Sequence, residues 1–309
     1  MSPEFIVAVI ITIVGAATPI LLASLGELVV EKSGVLNLGV EGMMLIGAVT
    51  GFAVTASTGS PWLGIVAAAA AASLSSLIFG FLTLTLSANQ VATGLALTIF
   101  GAGFSALAGK AFLGKTIVPF HSPFPPELAA DPIWKVLFGY SPIVYFSLIM
   151  VAVIAWFLKS TRLGLILRAV GENDLSAHSI GYSVIGVRYA AVAFGGAMAG
   201  IGGATFSMVL TPMWAEGLTA GRGWIALALV VFSAWRPYRL LAGAYLFGTV
   251  MMLELHAKAA GGLFAVLPPE FWAALPYLAT IFVLVAISLR RSGSTSAPAC
   301  LGKPFMATG

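Results

Sequence analysis

Few residues in this chain have the type and spacing to do chemistry. Gly109-Lys-Ala-Phe-Leu-Gly-Lys-Thr116 matches the phosphate-loop pattern G-x-x-x-x-G-K-[ST] letter for letter. That pattern needs a strand before it and a helix after it, whose N-terminal amides and dipole hold the phosphates. Here an apolar run precedes it and a proline-broken segment, Ile117 to Pro126, follows. The match is read as fortuitous, and no nucleotide or other cofactor is expected on this chain. The three histidines, His121, His178 and His256, fall in three different loops, and there is no H-E-x-x-H, paired-cysteine or G-x-S-x-G pattern. Cys300 is the single cysteine, which excludes an intrachain disulfide. Neither a catalytic group nor a metal site is expected.

The remaining candidates are polar residues inside or beside apolar runs: Glu27, Glu31, Asn37, Glu41, Asn89, Gln90 and Glu254. An ionisable group within a membrane costs several kcal/mol on the milder scales and faces a cavity or a partner. Asn37 and Glu41 are four apart and share one helix face. At 1.5 Å per residue, Glu41 lies about 9 Å in from Val35. Asn89 and Gln90 open a later span on the same side. Two readings stay open: Asn37, Glu41, Asn89 and Gln90 line the inner mouth of a translocation path, or they hydrogen-bond a neighbouring helix or the opened backbone of a glycine-broken segment. Glu27 and Glu31 are read as interfacial.

The elements that must position these groups follow from composition. Sixty per cent of the residues are hydrophobic and 8% charged, and the mean hydropathy is +1.03, whereas soluble domains carry about 25% charged residues. The chain is an integral membrane protein. Its net charge of +4 comes from basic residues scattered at the ends of apolar runs, a positive-inside pattern rather than a nucleic-acid surface. The first apolar run lacks a basic n-region and has Glu4 in its place, so it reads as a retained span. A crossing takes about 20 apolar residues, which predicts an all-α polytopic helix bundle with about nine spans (8–10). They lie near 5–26, 35–57, 62–88, 91–109, 143–158, 189–210, 223–235, 240–255 and 272–289. The stretches 34–57 and 223–235 are glycine-rich or short and are the candidates for broken or re-entrant segments.

Lys159, Arg162, Arg168 and Arg188, then Arg236 and Arg239, then Arg290 and Arg291 all fall on one side of such a bundle. That side is expected to be cytoplasmic, with the N-terminus outside and the C-terminus inside. The domain plan is one transmembrane domain over 1–290, a cytoplasmic loop at 159–188 and a disordered tail at 291–309. The proline-rich external loop, 110–142, is expected to be a rigid cap or short interfacial elements. Small-residue runs at Gly47–Gly51 and Gly195–Gly203 permit close helix approach, within the chain or at a subunit interface. One polar stretch, Arg168 to Gly181, interrupts the grease and must touch something soluble.

Three segments carry a family resemblance. Lys32-Ser-Gly-Val-Leu-Asn-Leu-Gly-Val-Glu-Gly-Met-Met-Leu-Ile-Gly-Ala48 resembles an early signature of permease subunits of bacterial ABC importers of the nucleoside and simple-sugar type, related to ribose and branched-chain amino acid permeases. Gly171-Glu-Asn-Asp-Leu-Ser-Ala-His-Ser-Ile-Gly181 resembles their cytoplasmic coupling loop, and Gly221 to Pro237 a third block. The resemblance implies a bacterial inner-membrane permease that pairs with a second permease, docks two cytoplasmic ABC ATPase subunits and receives a nucleoside or simple sugar from an external binding (lipo)protein. It also implies that Gly171, Glu172, Asn173, Asp174, Ala177, His178 and Gly181 form the ATPase-coupling element. The family has proline and small residues after Glu-Asn, whereas this chain has Asp174-Leu175, and His178 is unusual there. These departures are matched to a particular ATPase or are neutral surface changes. The alternative function is a secondary carrier or channel for a small polar solute, which would need no docking surface at 168–188.

Overall fold

The computed structural model describes residues 3–129, 131–260, scattered positions between 268 and 285, and 297–306. It is helical, and among the described residues there is no strand beyond two isolated bridges, Leu113 with Trp214 and Thr116 with Met213. Helices are the expected solution, because in lipid each backbone amide must find its partner within its own segment. In chain order they are α1 (Pro3–Lys32), α2 (Val40–Thr58), α3 (Pro61–Gly80), α4 (Gln90–Gly109), α5 (Pro132–Phe138), α6 (Pro142–Ser160), α7 (Arg162–Glu172), α8 (Asp174–Ser179), α9 (Val184–Thr205), α10 (Arg222–Phe232) and α11 (Pro237–Ala260). Side chains set several starts: Ser60, Asn89, Asp131, Thr161, Asn173 and Ser183 each accept a backbone N–H of the helix they open.

Six of these segments are long and apolar enough to cross a membrane: Glu4–Lys32, Val40–Thr58, Pro61–Thr85, Gln90–Phe112, Pro142–Ser160 and Val184–Leu210. They answer the first six expected spans. The expected span at 223–235 is α10, which at 11 residues covers only about 16 Å and is too short to cross alone. A run of turns at 216–221 precedes it. Helix α11 has 24 residues, and most of the expected last span, 272–289, lies outside the described residues.

Helix α9 is the centre of the bundle and packs on α1, α2 and α3. Its small residues make this possible. A Cβ on Gly203 would fall on the Met44 carbonyl oxygen of α2, one on Gly200 on the Ala68 oxygen of α3, and one on Gly195 on the Val30 side chain of α1. The Gly195–Gly203 run therefore serves packing within the chain. The buried core around it gathers Leu21, Leu25, Met43, Met44, Phe79, Val192, Met198 and Phe206.

Hydrogen bonds sort the connections into two faces. On one, the α1–α2 connection meets the start of α4, the α7–α8 junction and residues 300–303, through Leu36 N to Gln90 Oε1, Arg188 Nε to Ser33 O, Cys300 N to Gly171 O and Gly302 N to Gly34 O. On the other, the 110–141 loop meets the end of α9, with Ile117 N donating to Pro212 O. This loop holds short elements, the 3-10 turns Lys110–Phe112 and Pro126–Ala129 and helix α5. Within the expected tail, residues 297–306 are described, as turns and unassigned backbone bonded to the first face.

Candidate functional site

The polar stretch builds a short, braced helix. Asn173, extended at φ −150, ends α7 and opens α8, its Oδ1 accepting from Ser176 N at 3.0 Å. Gly181, at φ +93, turns the chain back toward α9, a left-handed conformation that glycine adopts without strain. Gly171 lies against Lys32 O, where a Cβ has no room. Ala177 is buried with Val170 and Val184, whereas Glu172, Asn173 and His178 are exposed. Leu175 and Ile180 are also exposed, at 51% and 70%. A six-residue helix thus turns its alanine inward and Leu175 outward, with Ile180 exposed at its C-cap.

Asp174, the departure from the family pattern, does not face outward. Its carboxylate meets Arg188 Nη2 at 3.1 Å, with side-chain exposures of 14% and 1%. The same guanidinium donates through Nε to Ser33 O at 3.2 Å and through Nη1 to Lys303 O at 3.4 Å. Arg188 is fully buried in the first turn of α9. A guanidinium in a fixed fork can serve three acceptors at once. It joins α8, the α1–α2 connection, residue 303 and the central helix.

The polar residues inside the bundle hold broken backbone. Asn37 Oδ1 accepts from Gly39 N at 2.9 Å, and Asn37 N donates to Glu27 Oε1 at 3.1 Å. Gln90 Oε1 accepts from Leu36 N at 2.8 Å, and Thr98 Oγ1 donates to Leu38 O at 3.1 Å. The non-helical connection 33–39 is therefore tied to α1 on one side and α4 on the other. Asn89 is exposed and caps α4 through Ala92 N. A cavity of about 250 Å³ is lined by Ser87, Asn89, Gln90, Gly302 and Pro304, and the buried Gln90 Nε2 has no hydrogen-bond partner.

Glu41 performs a second closure. Its Oε1 accepts from Thr219 Oγ1 at 2.6 Å and Gly221 N at 2.8 Å, and its Oε2 from Gly223 N at 2.6 Å. Gly221 is the N-cap of α10, at φ +80. The carboxylate of one helix thus caps the N-terminus of another, where unpaired amides and the helix dipole favour an anion. Glu41 also sits in the first turn of α2, so two N-terminal ends stabilise one charge. Glu31, read from sequence as interfacial, is buried and accepts from Trp235 Nε1 at 2.6 Å, fixing the α10–α11 turn to α1.

Thus Gly171, Glu172, Asn173, Asp174, Ala177, His178 and Gly181 come together at α8. Asn37 and Gln90 meet at the α1–α2 connection, and Glu41 bonds to the start of α10. Sequence reasoning missed Arg188, Thr219 and Trp235 as members of these sites. Arg188 carried a usable signal: counted as a basic loop marker, it stands four residues inside an apolar helix. The phosphate-loop match falls on the end of α4, the 3-10 turn Lys110–Phe112 and a left-handed Gly114, with Gly109 packed on the Trp214 ring. No helix follows it directly. Lys115→Ala is expected to leave ATP-dependent uptake within about twofold of wild type, checked by uptake in vesicles. A tenfold loss of uptake would reinstate the motif.

Comparisons with known proteins identify the family. The family described as branched-chain amino acid transport system / permease component matches residues 9–284. A permease protein of Haloferax volcanii, provisionally named for a glucose ABC transporter, is 42% identical over 291 residues, with 88% of each chain covered. The guanosine ABC transporter permease protein of Bacillus subtilis is 32% identical over 304 residues, covering 94% of this chain and 93% of its own. The nucleoside ABC transporter permease protein of Lactococcus lactis is 30% identical over 280 residues, covering 87% and 88%. No solved structure matches. The chain therefore belongs to this permease family, as a multi-pass membrane subunit of an ABC transporter that carries out transport and leaves ATP hydrolysis to a separate partner.

Proposed function

We propose that the chain is the permease of an ATP-driven importer for a nucleoside, with simple sugars as the second substrate class, and that α8 is the coupling helix that fits a cleft in a cytoplasmic ATPase. The observation that carries this is the geometry of α8: capped by Asn173, turned by Gly181, held at its base by Arg188, and presenting Leu175 and Ile180 outward. Apolar side chains exposed in the polar, basic stretch 159–188 suit a protein partner in water better than lipid. The face carrying α8, the α1–α2 connection and residues 297–306 is then cytoplasmic, and the 110–141 loop meets an external binding protein. The N-terminus lies outside. A second permease, identical or related, completes the pore.

The polar residues divide between two roles. Asn37 and Glu41 shape the pathway by holding the breaks at 33–39 and 219–223, while Asn89 and Gln90 line its inner mouth at the cavity beside Ser87. Nucleoside stands first because two relatives are named for guanosine and nucleoside transport; the relative named for glucose supports the sugar reading. In the double variant Leu175→Asp/Ile180→Asp, co-purification of the ATPase should fall at least tenfold, about 1.4 kcal/mol of association, with membrane accumulation unchanged. Full retention of the ATPase would refute the assignment of α8.

A further inference from the structure

Residues 297–306 belong to no span, yet they bond to three separate parts of the proposed cytoplasmic face. Cys300 N donates to Gly171 O at 2.9 Å, and Ala299 N to the Glu172 carboxylate at 3.4 Å. Gly302 N donates to Gly34 O at 3.1 Å in the α1–α2 connection. Lys303 O accepts from Arg188. The Phe305 ring stands edge-on to His178, with centroids 5.4 Å apart, and packs on the buried group of Val170, Ala177 and Val184. The segment thus runs from the end of α7, at Gly171 and Glu172, to His178 near the end of α8.

A helix of six residues has no independent stability in water. The direction in which α8 points is therefore set by what surrounds it. The Asn173 cap fixes its start, the Asp174 to Arg188 pair fixes one side, and Phe305 closes the side carrying Ala177 and His178. The end of the segment also carries exposed apolar surface: Met306 is 65% exposed and Phe305, beside His178 of α8, is half-buried.

We infer that residues 297–306 form a strap that holds α8 in its docking orientation and adds the Phe305–Met306 edge to the surface on which the ATPase seats. Arg188 is the positioning residue that ties strap to helix. This rests on the reading of α8 as the coupling helix. It has a mechanical consequence: a push on α8 reaches Ser33 through Arg188 and Gly34 through Gly302, and so moves the connection that leads into Asn37 and Glu41.

The test uses the complete transporter, permease with its own ATPase, in proteoliposomes. Three quantities are read: ATPase retained per permease, ATP hydrolysed per solute moved, and the rate of maleimide labelling at Cys300, the chain's single cysteine. Phe305→Asp/Met306→Asp should lower ATPase retention at least fivefold with normal accumulation. Arg188→Met should raise Cys300 labelling at least threefold and increase the ATP spent per solute, and Arg188→Lys should restore part of both. In wild type, adding the ATPase should slow Cys300 labelling. If Arg188→Met does not accumulate, the surface pair Phe305 and Met306 decides. Retained ATPase and unchanged coupling in the strap variants, beside loss in Leu175→Asp/Ile180→Asp, would overturn the strap and leave α8 as the coupling helix. Retention in all of them would overturn both.

Discussion

Glu41→Ala will abolish accumulation of folded protein rather than produce a stable permease that fails to transport. The carboxylate accepts three hydrogen bonds, two from the backbone at the start of α10 and one from Thr219. A hydrogen bond to a charged group contributes about 1.5–3 kcal/mol, and each buried donor left unpaired costs a further 1–3 kcal/mol or so. The sum rivals the roughly 5–15 kcal/mol by which a whole domain is stable. Glu41 is only 7% exposed and Gly223 is buried, so the donors left behind lie away from bulk solvent. Glu41→Gln keeps one acceptor oxygen and should accumulate at an intermediate level with a lowered melting temperature. Fluorescence-detected size exclusion with a thermal ramp makes the measurement. A monodisperse Glu41→Ala protein that melts like wild type and does not move solute would show that the residue works on the substrate instead.

Much of this fold was legible. Long apolar runs leave the backbone only one way to satisfy itself in lipid, so the first six spans fall where hydropathy placed them. The shortness of 223–235 was legible as a candidate break; what escaped was its cause. Composition alone shows 223–235 as apolar; it does not show that a carboxylate about 180 positions earlier takes the amides that would otherwise continue the chain. Asn37 and Glu41 had two readings because polarity on a helix face is compatible with a solute and with broken backbone alike. The distances favour the backbone.

The coupling region divides in the same way. Its caps, Asn173 and Gly181, are residue types that signal helix ends locally, and both lie in the 171–181 stretch that the resemblance marked. The Asp174 to Arg188 pair was not legible, since a salt bridge between loop and helix has no periodicity to betray it. A departure from the family pattern at 174 turns out to be an internal contact. The exposed Leu175 remains the position at which a particular partner could be matched.

Glycine packing makes the second large prediction. Gly203→Val and Gly47→Val should each prevent accumulation of a folded permease, while Gly103→Val, on the open face of α4, should shift the melting temperature by only a degree or two. Beyond Cβ of Gly203 stands Met44 O, and beyond Cβ of Gly47 stand the oxygen and Cα of Gly200. These are backbone atoms that cannot rotate aside, so α2 and α9 would have to separate along their shared length. Overpacking by single methylenes already costs about 1–3 kcal/mol, and in lipid no hydrophobic force draws separated helices back. Gly103 has nothing within 4 Å of its Cβ position and controls for helix propensity. The separation would also reach the sites: α9 carries Arg188 near its start, α2 carries Glu41 in its first turn, and their contact is what keeps a movement at α8 in register with the start of α10. A partly folded Gly203→Ala protein should accordingly hydrolyse ATP through its partner with reduced uptake per ATP. Equal melting temperatures for Gly203→Val, Gly103→Val and wild type would mean that this contact does not hold the bundle together.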